Sequence, residues 1–410
     1  MDSYDRSNDT VFVLGADGYL GWPMALRLSA LGYRVVAMDN LSKRAWRAEI
    51  GVDCLNPVAS IKRRIECWLE LTGKQIEWHQ VDLANRAALN QLVASYHPGA
   101  VIHFAEQPSA PYSMVDSDHC VQTYVNNTVG TLNLLWALKR GAPDCHLIKL
   151  GSMGEYGCPN IDIEEGWLTI QHNGRSERVP FPKRPHSFYH LSKVADSENI
   201  MFACRVWNMR ATDLNQGVVY GIDTEETRLH PDLATSFHYD STFGTALNRF
   251  CVQAAAGTPL TVYGTGGQTR GYLNIQDTLA CILLSLRHRP DPGEFRVFNQ
   301  FTEQFSVNEL AQTIGEARRE CGLETSVVHI ENPRIEAESH YYNAKHQALL
   351  DLGLEPHLLN QTLITSLIGW IAQYLDRVDL SALENPNVTW ASGANRFWAR
   401  QTAVDTLAAV

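Results

Sequence analysis

Val11-Phe12-Val13-Leu14-Gly15-Ala16-Asp17-Gly18-Tyr19-Leu20-Gly21 decides the fold. A short apolar run ends in a Gly-x-x-Gly-x-x-Gly turn, and helix-like sequence starts at Tyr19 and continues to Leu31. Glycines there let a backbone turn tightly and come close to a pyrophosphate, whose charge then rests on the free N–H groups of a helix start. The next apolar run, residues 33–38, ends at Asp39, about 20 residues on, where such a turn is followed by an acid that holds the adenosine ribose. A carboxylate there accepts from both ribose hydroxyls and repels a 2′-phosphate, so NAD is expected over NADP, although Lys43, Arg44 and Arg47 follow closely. Asp82, at the end of the third run, is placed either to accept from an adenine amine or to cap the helix that begins near Asn85.

Outward from this turn, apolar runs alternate with helix-like stretches. Strands are expected at 11–14, 33–38, 76–80, 101–104, 146–150 and 209–214, with helices at 19–31, 86–96, 125–139 and 187–207. That alternation builds parallel βαβ units and predicts an α/β fold, a Rossmann-type doubly wound parallel sheet. The boundaries expected are a dinucleotide-binding domain over 1–217, a smaller mixed α/β substrate domain over 218–390 from which strands can return to the first sheet, and a tail at 391–410 that packs as an arm or frays. Helix-like sequence at 245–256 and 307–320 and a strand at 260–263 belong to the second domain.

The 410 residues are 45% hydrophobic and 19% charged, enough for a substantial core. A net charge of −11 disfavours a nucleic-acid partner, whose phosphates need clustered Lys and Arg. No run is long and apolar enough to span a membrane, and the opening MDSYDRSNDT does not read as a signal peptide, so a cytoplasmic protein without a membrane partner is expected. Nine scattered cysteines without C-x-x-C spacing suit neither a disulfide framework nor a metal site.

Tyr189-His190-Leu191-Ser192-Lys193 sets a phenol and an amine four residues apart, on one helix face. A nearby ammonium favours the phenolate, which can take a proton from a hydroxyl while hydride leaves for a nicotinamide. Ser152, ending the fifth expected strand, can help hold the reacting oxygen.

With these residues in this order the chain resembles the extended short-chain dehydrogenase/reductases and, among them, the family of UDP-sulfoquinovose synthases. The stretches that carry the likeness include SAPYSM (109–114), GEYGCPNIDIEEG (154–166), SFYHLSKV (187–194), ATDLNQGVVYG (211–221), FGTALNRFCVQAA (243–255), GGQTRGYL (266–273) and NPRIEAESHYYNAK (332–345). The resemblance implies an enzyme with Ser152, Tyr189 and Lys193 as catalytic triad and His190 or Glu155 as further proton carriers. It implies NAD held by Gly15, Asp17, Gly18, Tyr19, Gly21, Asp39, Asn40, Lys43, Arg44, Asp82, Asn126, Gln216 and Val219 besides Tyr189 and Lys193. It implies UDP-glucose held by Gln107, Gln216, Thr245, Asn248, Arg249, Thr261, Tyr263, Gln268, Arg270, Arg334 and Glu336, with sulfite as second substrate and a homodimer built on the helices at 125–139 and 187–207. In that family NAD oxidises the glucose 4-hydroxyl, water leaves across C5 and C6, sulfite adds at C6, and the 4-ketone is reduced again. Related sugar 4,6-dehydratases carry an Asp-Glu pair where this chain has Met153 and Gly154. Plant members of the synthase family carry Arg where this chain has Pro108. That change keeps a 5,6-dehydratase that adds no sulfite open as an alternative, beside a 4-epimerase and a non-catalytic NAD-binding regulator.

Overall fold

The computed structural model describes residues 10–320, 322–337, 340–384, 386 and 388–390. The expected tail at 391–410 lies outside them. In chain order the strands of the first half are β1 (Thr10–Leu14), β2 (Arg34–Asp39), β3 (Ile76–Gln80), β4 (Ala100–His103), β5 (His146–Ser152), β6 (Trp167–His172), β7 (Arg175–Pro180) and β8 (Arg210–Gln216). Then come β9 (Val218–Tyr220), β10 (Leu260–Tyr263), β11 (Thr269–Asn274), β12 (Phe295–Gln300), β13 (Glu303–Ser306) and β14 (Val327–Ile330). The central sheet has seven parallel strands in the order β12-β8-β5-β4-β1-β2-β3. Strand order reverses at β1, so the crevice for a ligand opens beyond the carboxyl ends of β1 and β4.

Both faces of this sheet are covered, which is why its central strands β1, β2 and β4 are largely apolar. Along β1 the side chains alternate: Val11 and Val13 pack with α1 (Gly21–Ala30) on one side, while Phe12 and Leu14 pack with Leu89, Leu134 and Ile200 on the other. The helices on that second side are α4 (Arg86–Tyr96), α6 (Gly130–Gly141) and α7 (Phe188–Trp207). Between α1 and α4 lie α2 (Ser42–Glu49) and α3 (Ile61–Thr72), which periodicity did not suggest; Ser60 caps α3 by accepting from the Arg63 N–H. The helix expected from residue 125 starts earlier, at α5 (Ser117–Tyr124), because the Asp116 carboxylate accepts from the Asp118 and His119 N–H groups. It runs into α6 through one widened π turn, Val125–Val129. Such turns add a residue and so rotate side chains relative to the regular helix. Here the turn sends Asn126 to the cleft and Asn127 into the interior.

The boundary at 217 does not divide the chain cleanly. α9 (Ile275–Arg287) crosses over and β12 returns to pair with β8, so residues 275–300 complete the first sheet. The second lobe keeps α8 (Ala246–Ala256), α10 (Val307–Glu320) and α12 (Gln361–Ile371) around Phe250, Val262, Leu310 and Ile364. It also contains the pair β10-β14 and the sheet β13-β11-β9. β6 and β7 form an exposed antiparallel hairpin that turns at Asn173-Gly174, both with positive φ. Asn-Gly between alternating strands was its signal in the sequence.

Candidate active site

At the end of β1, Gly15 has a φ of 81° and its N–H donates to the Met38 carbonyl at 2.8 Å. A Cβ on Gly21 would run into the Gly15 carbonyl, so α1 can start this close to the turn only as glycine. No side chain caps the N-terminus of α1, where the helix dipole favours an anion. Asp39 stands across the crevice and accepts from the Asp17 N–H at 3.0 Å and the Leu41 N–H at 2.6 Å. Burial raises its carboxyl to about 6. Tyr19, Asn40, Lys43, Arg44, Asn126, Gln216, Tyr189, Lys193 and Pro108 line the same cleft, as do Glu106 and His238, which the sequence reading had not assigned to it.

Several expected cofactor contacts prove to be scaffolding. The Asp17 carboxylate is taken by Arg44, at 2.6 Å, and by the fully buried Arg64, whose guanidinium also stacks 4.7 Å from the Trp22 ring. Asp82 accepts from Asn40 Nδ2 at 3.0 Å and from the Ala84 N–H at 2.7 Å, while Asn85 caps α4. Val219 packs with Leu273 and Ile275 against Tyr19 and does not face the cleft. Gln107 is no ligand group either: it is fully buried, its amide donates to Thr123 Oγ1 and the Ser109 carbonyl, and its Oε1 accepts from the Ser109 N–H. Gln107 and Asn127 instead tie the loop after β4 to α7, since Asn127 accepts from the Gln107 N–H at 2.7 Å and donates to Ser192 Oγ at 2.9 Å.

Tyr189 and Lys193 project from the first turns of α7 into the cleft, with Lys193 Nζ 5.8 Å from the centre of the phenol ring. Lys193 Nζ donates to the Leu150 carbonyl at 2.6 Å and is paired with Glu106 at 2.7 Å. Burial raises the Tyr189 phenol, and Lys193 offsets this only in part because Glu106 and Glu155 push the same way as burial. The pull of Lys193 toward a phenolate is thereby opposed by burial and the two carboxylates. Ser152 closes β5 beside the cleft-lining Gly151, and its Oγ accepts from the Gly154 N–H at 3.1 Å, which leaves its proton to donate.

Glu155 and His190 do not serve as bases at neutral pH. Glu155 is fully buried and, although burial raises it, Lys149 and Lys183 hold its carboxyl well below the usual range. It receives Lys183 Nζ at 2.6 Å, Lys149 Nζ at 3.3 Å and the Ser152 N–H at 2.9 Å, so it is a structural acid. Burial, with Arg334, pushes His190 down to about 3. Its Nδ1 meets Ser187 Oγ at 2.8 Å and its Nε2 lies against Gly154, where a Cβ would collide. The Met153-Gly154 pair thus makes room for a neutral imidazole.

Gln107 and Gln216 aside, the expected sugar-nucleotide residues gather in the second lobe, and none of these lines the dinucleotide cleft. Arg249 lies over the Tyr263 ring at 4.1 Å and donates to the Thr261 carbonyl at 3.0 Å. Arg270 pairs with Glu336 at 2.5 Å, and the half-buried Arg334 is close enough to Glu336, Arg270, Tyr263 and Arg249 to feel all four. Arg249 Nε, Asn248 Oδ1 and Gln268 Oε1 are buried without a partner, which suits a polar ligand completing them. Thr245 caps α8 and the Thr261 side chain accepts from Gln253, so these two position the cluster. Arg334 and Arg270 also bear on His190, so the cluster lies within electrostatic reach of that ring.

Residues 11–299 match the model of the NAD dependent epimerase/dehydratase family. The chain belongs to that family. It is 55% identical over 393 residues to the chloroplastic UDP-sulfoquinovose synthase of Spinacia oleracea, covering 95% of this chain and 81% of that one. To the UDP-sulfoquinovose synthase of Sulfolobus acidocaldarius it is 42% identical over 347 residues, 84% of this chain and 88% of the relative. The fold matches that of the UDP-glucose 4-epimerase of Thermotoga maritima, solved with UDP-glucose, at a TM-score of 0.65 and 19% identity over 89% of this chain and 99% of that one.

NAD fits what this member of the epimerase/dehydratase family offers. The glycine cradle has space for no side chain, the uncapped helix start faces the crevice, and Asp39 has lone pairs left for ribose hydroxyls. When bound, NAD supplies an oxidant for a sugar hydroxyl and, once reduced, a reductant for the resulting ketone. Only ionised Asp39 accepts on both oxygens. NAD affinity therefore holds above pH 6 and falls as pH drops through the Asp39 pKa of about 6, and Asp39→Asn flattens that dependence; equilibrium titration of NAD between pH 5 and 8 checks it. The signals missed in the sequence are Glu106, Lys149 and Lys183, charged residues in a loop or an apolar strand with no local motif, and Arg64, which on the charge-rich helix α3 looks like its more exposed neighbours Lys62 and Arg63.

Proposed function

We propose that this chain makes UDP-sulfoquinovose from UDP-glucose and sulfite, with NAD reduced and reoxidised in each turnover. The observation that carries this reading is identity to a synthase over 95% of the chain, second lobe included, joined to a Tyr-Lys pair in the dinucleotide cleft. The sugar lies between Tyr189 and the Arg249, Arg270, Arg334 cluster, which neutralises the diphosphate. Tyr189 takes and returns the 4-hydroxyl proton, and Ser152 donates to the same oxygen. A 4-ketone acidifies the C5 hydrogen, so loss of the 6-hydroxyl needs no strong acid, consistent with Met153 and Gly154 standing where dehydratases carry an acidic pair.

Mass spectrometry of NAD-loaded protein given UDP-glucose and sulfite tests it: sulfonated UDP-hexose is expected, and its absence at saturating sulfite overturns the assignment. Pro108 in the cleft wall favours the second reading, a 5,6-dehydratase, and loss of water without sulfonate would select that one. The protein works as a homodimer. Val125, Val129, Leu132 and Trp136 on the π turn and α6 are 38–45% exposed, and Phe202 and Val206 on α7 are 46–51% exposed. Trp136 and Trp207 meet at 4.7 Å, which joins the two helices into one apolar face that a second copy covers. Light scattering is expected to give twice the chain mass, and Trp136→Glu to give the monomer.

A further inference from the structure

The proposed reaction takes one proton from the sugar 4-hydroxyl at its first step and needs one back at its last. Resting on that reading, we infer that Glu106 receives this proton through Lys193, stores it while the sugar is remodelled, and returns it at the final reduction. Glu106 Oε2 forms an ion pair with Lys193 Nζ at 2.7 Å, its side chain is 2% exposed, and neither of its oxygens is held by hydrogen-bond geometry. It lines the cleft, so a bound sugar and dinucleotide close it off from water.

The other groups around Lys193 cannot take the proton. Asp196, on α7 one turn beyond Lys193, is fully buried with both oxygens unpartnered; burial and the charge of Glu106 keep it protonated. His103, on β4, is neutral through burial and the two lysines, with Nε2 engaged by Thr131 Oγ1 at 3.0 Å. Lys149, on β5, donates to the Lys193 carbonyl at 2.9 Å and Ser197 Oγ at 2.8 Å, and it stands beside Glu155 and Asp213. Glu155 is already shared by two lysines, and Asp213 accepts from Ser197 Oγ at 2.6 Å.

The transfers balance. The Tyr189 phenol proton passes to Lys193 as Lys193 passes one of its own to Glu106, which leaves phenolate, ammonium and a neutral carboxylic acid. The phenolate then takes the 4-hydroxyl proton, a bound dinucleotide would supply the two-electron oxidant for C4, and no proton is released to solvent. Reduction of the ketone runs the same transfers in reverse. Glu106 acts through Lys193 and is a positioning residue in this scheme, one that sets where the proton rests.

Stopped-flow mixing of NAD-loaded protein with UDP-glucose in weak buffer, with a pH-indicator dye and absorbance at 340 nm followed together, tests the inference. The wild type is expected to form NADH without stoichiometric proton release, at a rate nearly flat between pH 6 and 8. Glu106→Gln is expected to release one proton per NADH and to gain a rate that rises about tenfold per pH unit, because Tyr189 must then lose its proton to solvent first. One proton per NADH from the wild type overturns the inference, whether or not the variant folds; so does a folded variant that releases none. No rise at 340 nm overturns the proposed reaction itself, and the inference with it.

Discussion

Tyr189→Phe is expected to lower the rate of NADH formation from UDP-glucose by about 10²–10⁴-fold, the range for loss of a positioned proton carrier. The phenol lines the cleft beside Lys193, while Glu155 and His190, the neighbours that sequence placed next to it, are held as a paired carboxylate and a neutral imidazole. No nearby group therefore substitutes for it. The ring remains in the variant, packed at 4.8 Å from His190, so NAD affinity and the melting temperature are expected to stay within error of the wild type. Equilibrium NAD titration and single-turnover absorbance at 340 nm separate the two effects. A variant that still reduces NAD at more than about a tenth of the wild-type rate would remove Tyr189 from the chemistry.

Lys149→Met is expected to cost about 3–5 kcal/mol of folding stability, because it removes one partner of a buried ion cluster and leaves charge behind. Lys149 is fully buried between Glu155 at 3.3 Å and Asp213 at 3.6 Å, and methionine fills its volume without its charge. The sign of the pH dependence follows from Glu155. Its carboxyl is held below its ordinary 4.5, so its contribution is complete above that pH and is lost as pH falls below it. The stability gap between wild type and variant should accordingly be widest near neutrality and narrow on acidification. Urea unfolding at pH 7 and pH 4 checks this, and an equal gap at both would show that the loss is one of packing alone.

Much of the scaffold was legible because its signals are local. The central strands β1, β2 and β4 were visible as apolar runs, since burial on both faces favours them, whereas β3 at the sheet edge is mostly polar and half-exposed. The hairpin at Asn173-Gly174 and the early start of α5 at Asp116 were legible in principle through turn and cap chemistry, but apolar periodicity does not see either. Gln107 and Asp17 were misread for a different reason: an amide or a carboxylate next to a binding loop looks the same in sequence whether it turns toward ligand or toward the protein. That strands of the second half return to the first sheet was expected, but which one was not legible, because the pairing of β12 with β8 depends on a partner far away in the chain.

By itself, the sequence determined what depends on near neighbours: a strand running into a glycine turn, an acid at the end of the next strand, and a phenol and an amine on one helix face. Those relations follow from fixed strand and helix repeats and survive without tertiary information. Only the tertiary structure decided the charge states. Glu106 meets Lys193, Lys149 meets Glu155 and Asp213, and Arg64 meets Asp17 across separate elements. In a medium that screens charge poorly, those meetings determine which groups hold a proton and which can pass one on.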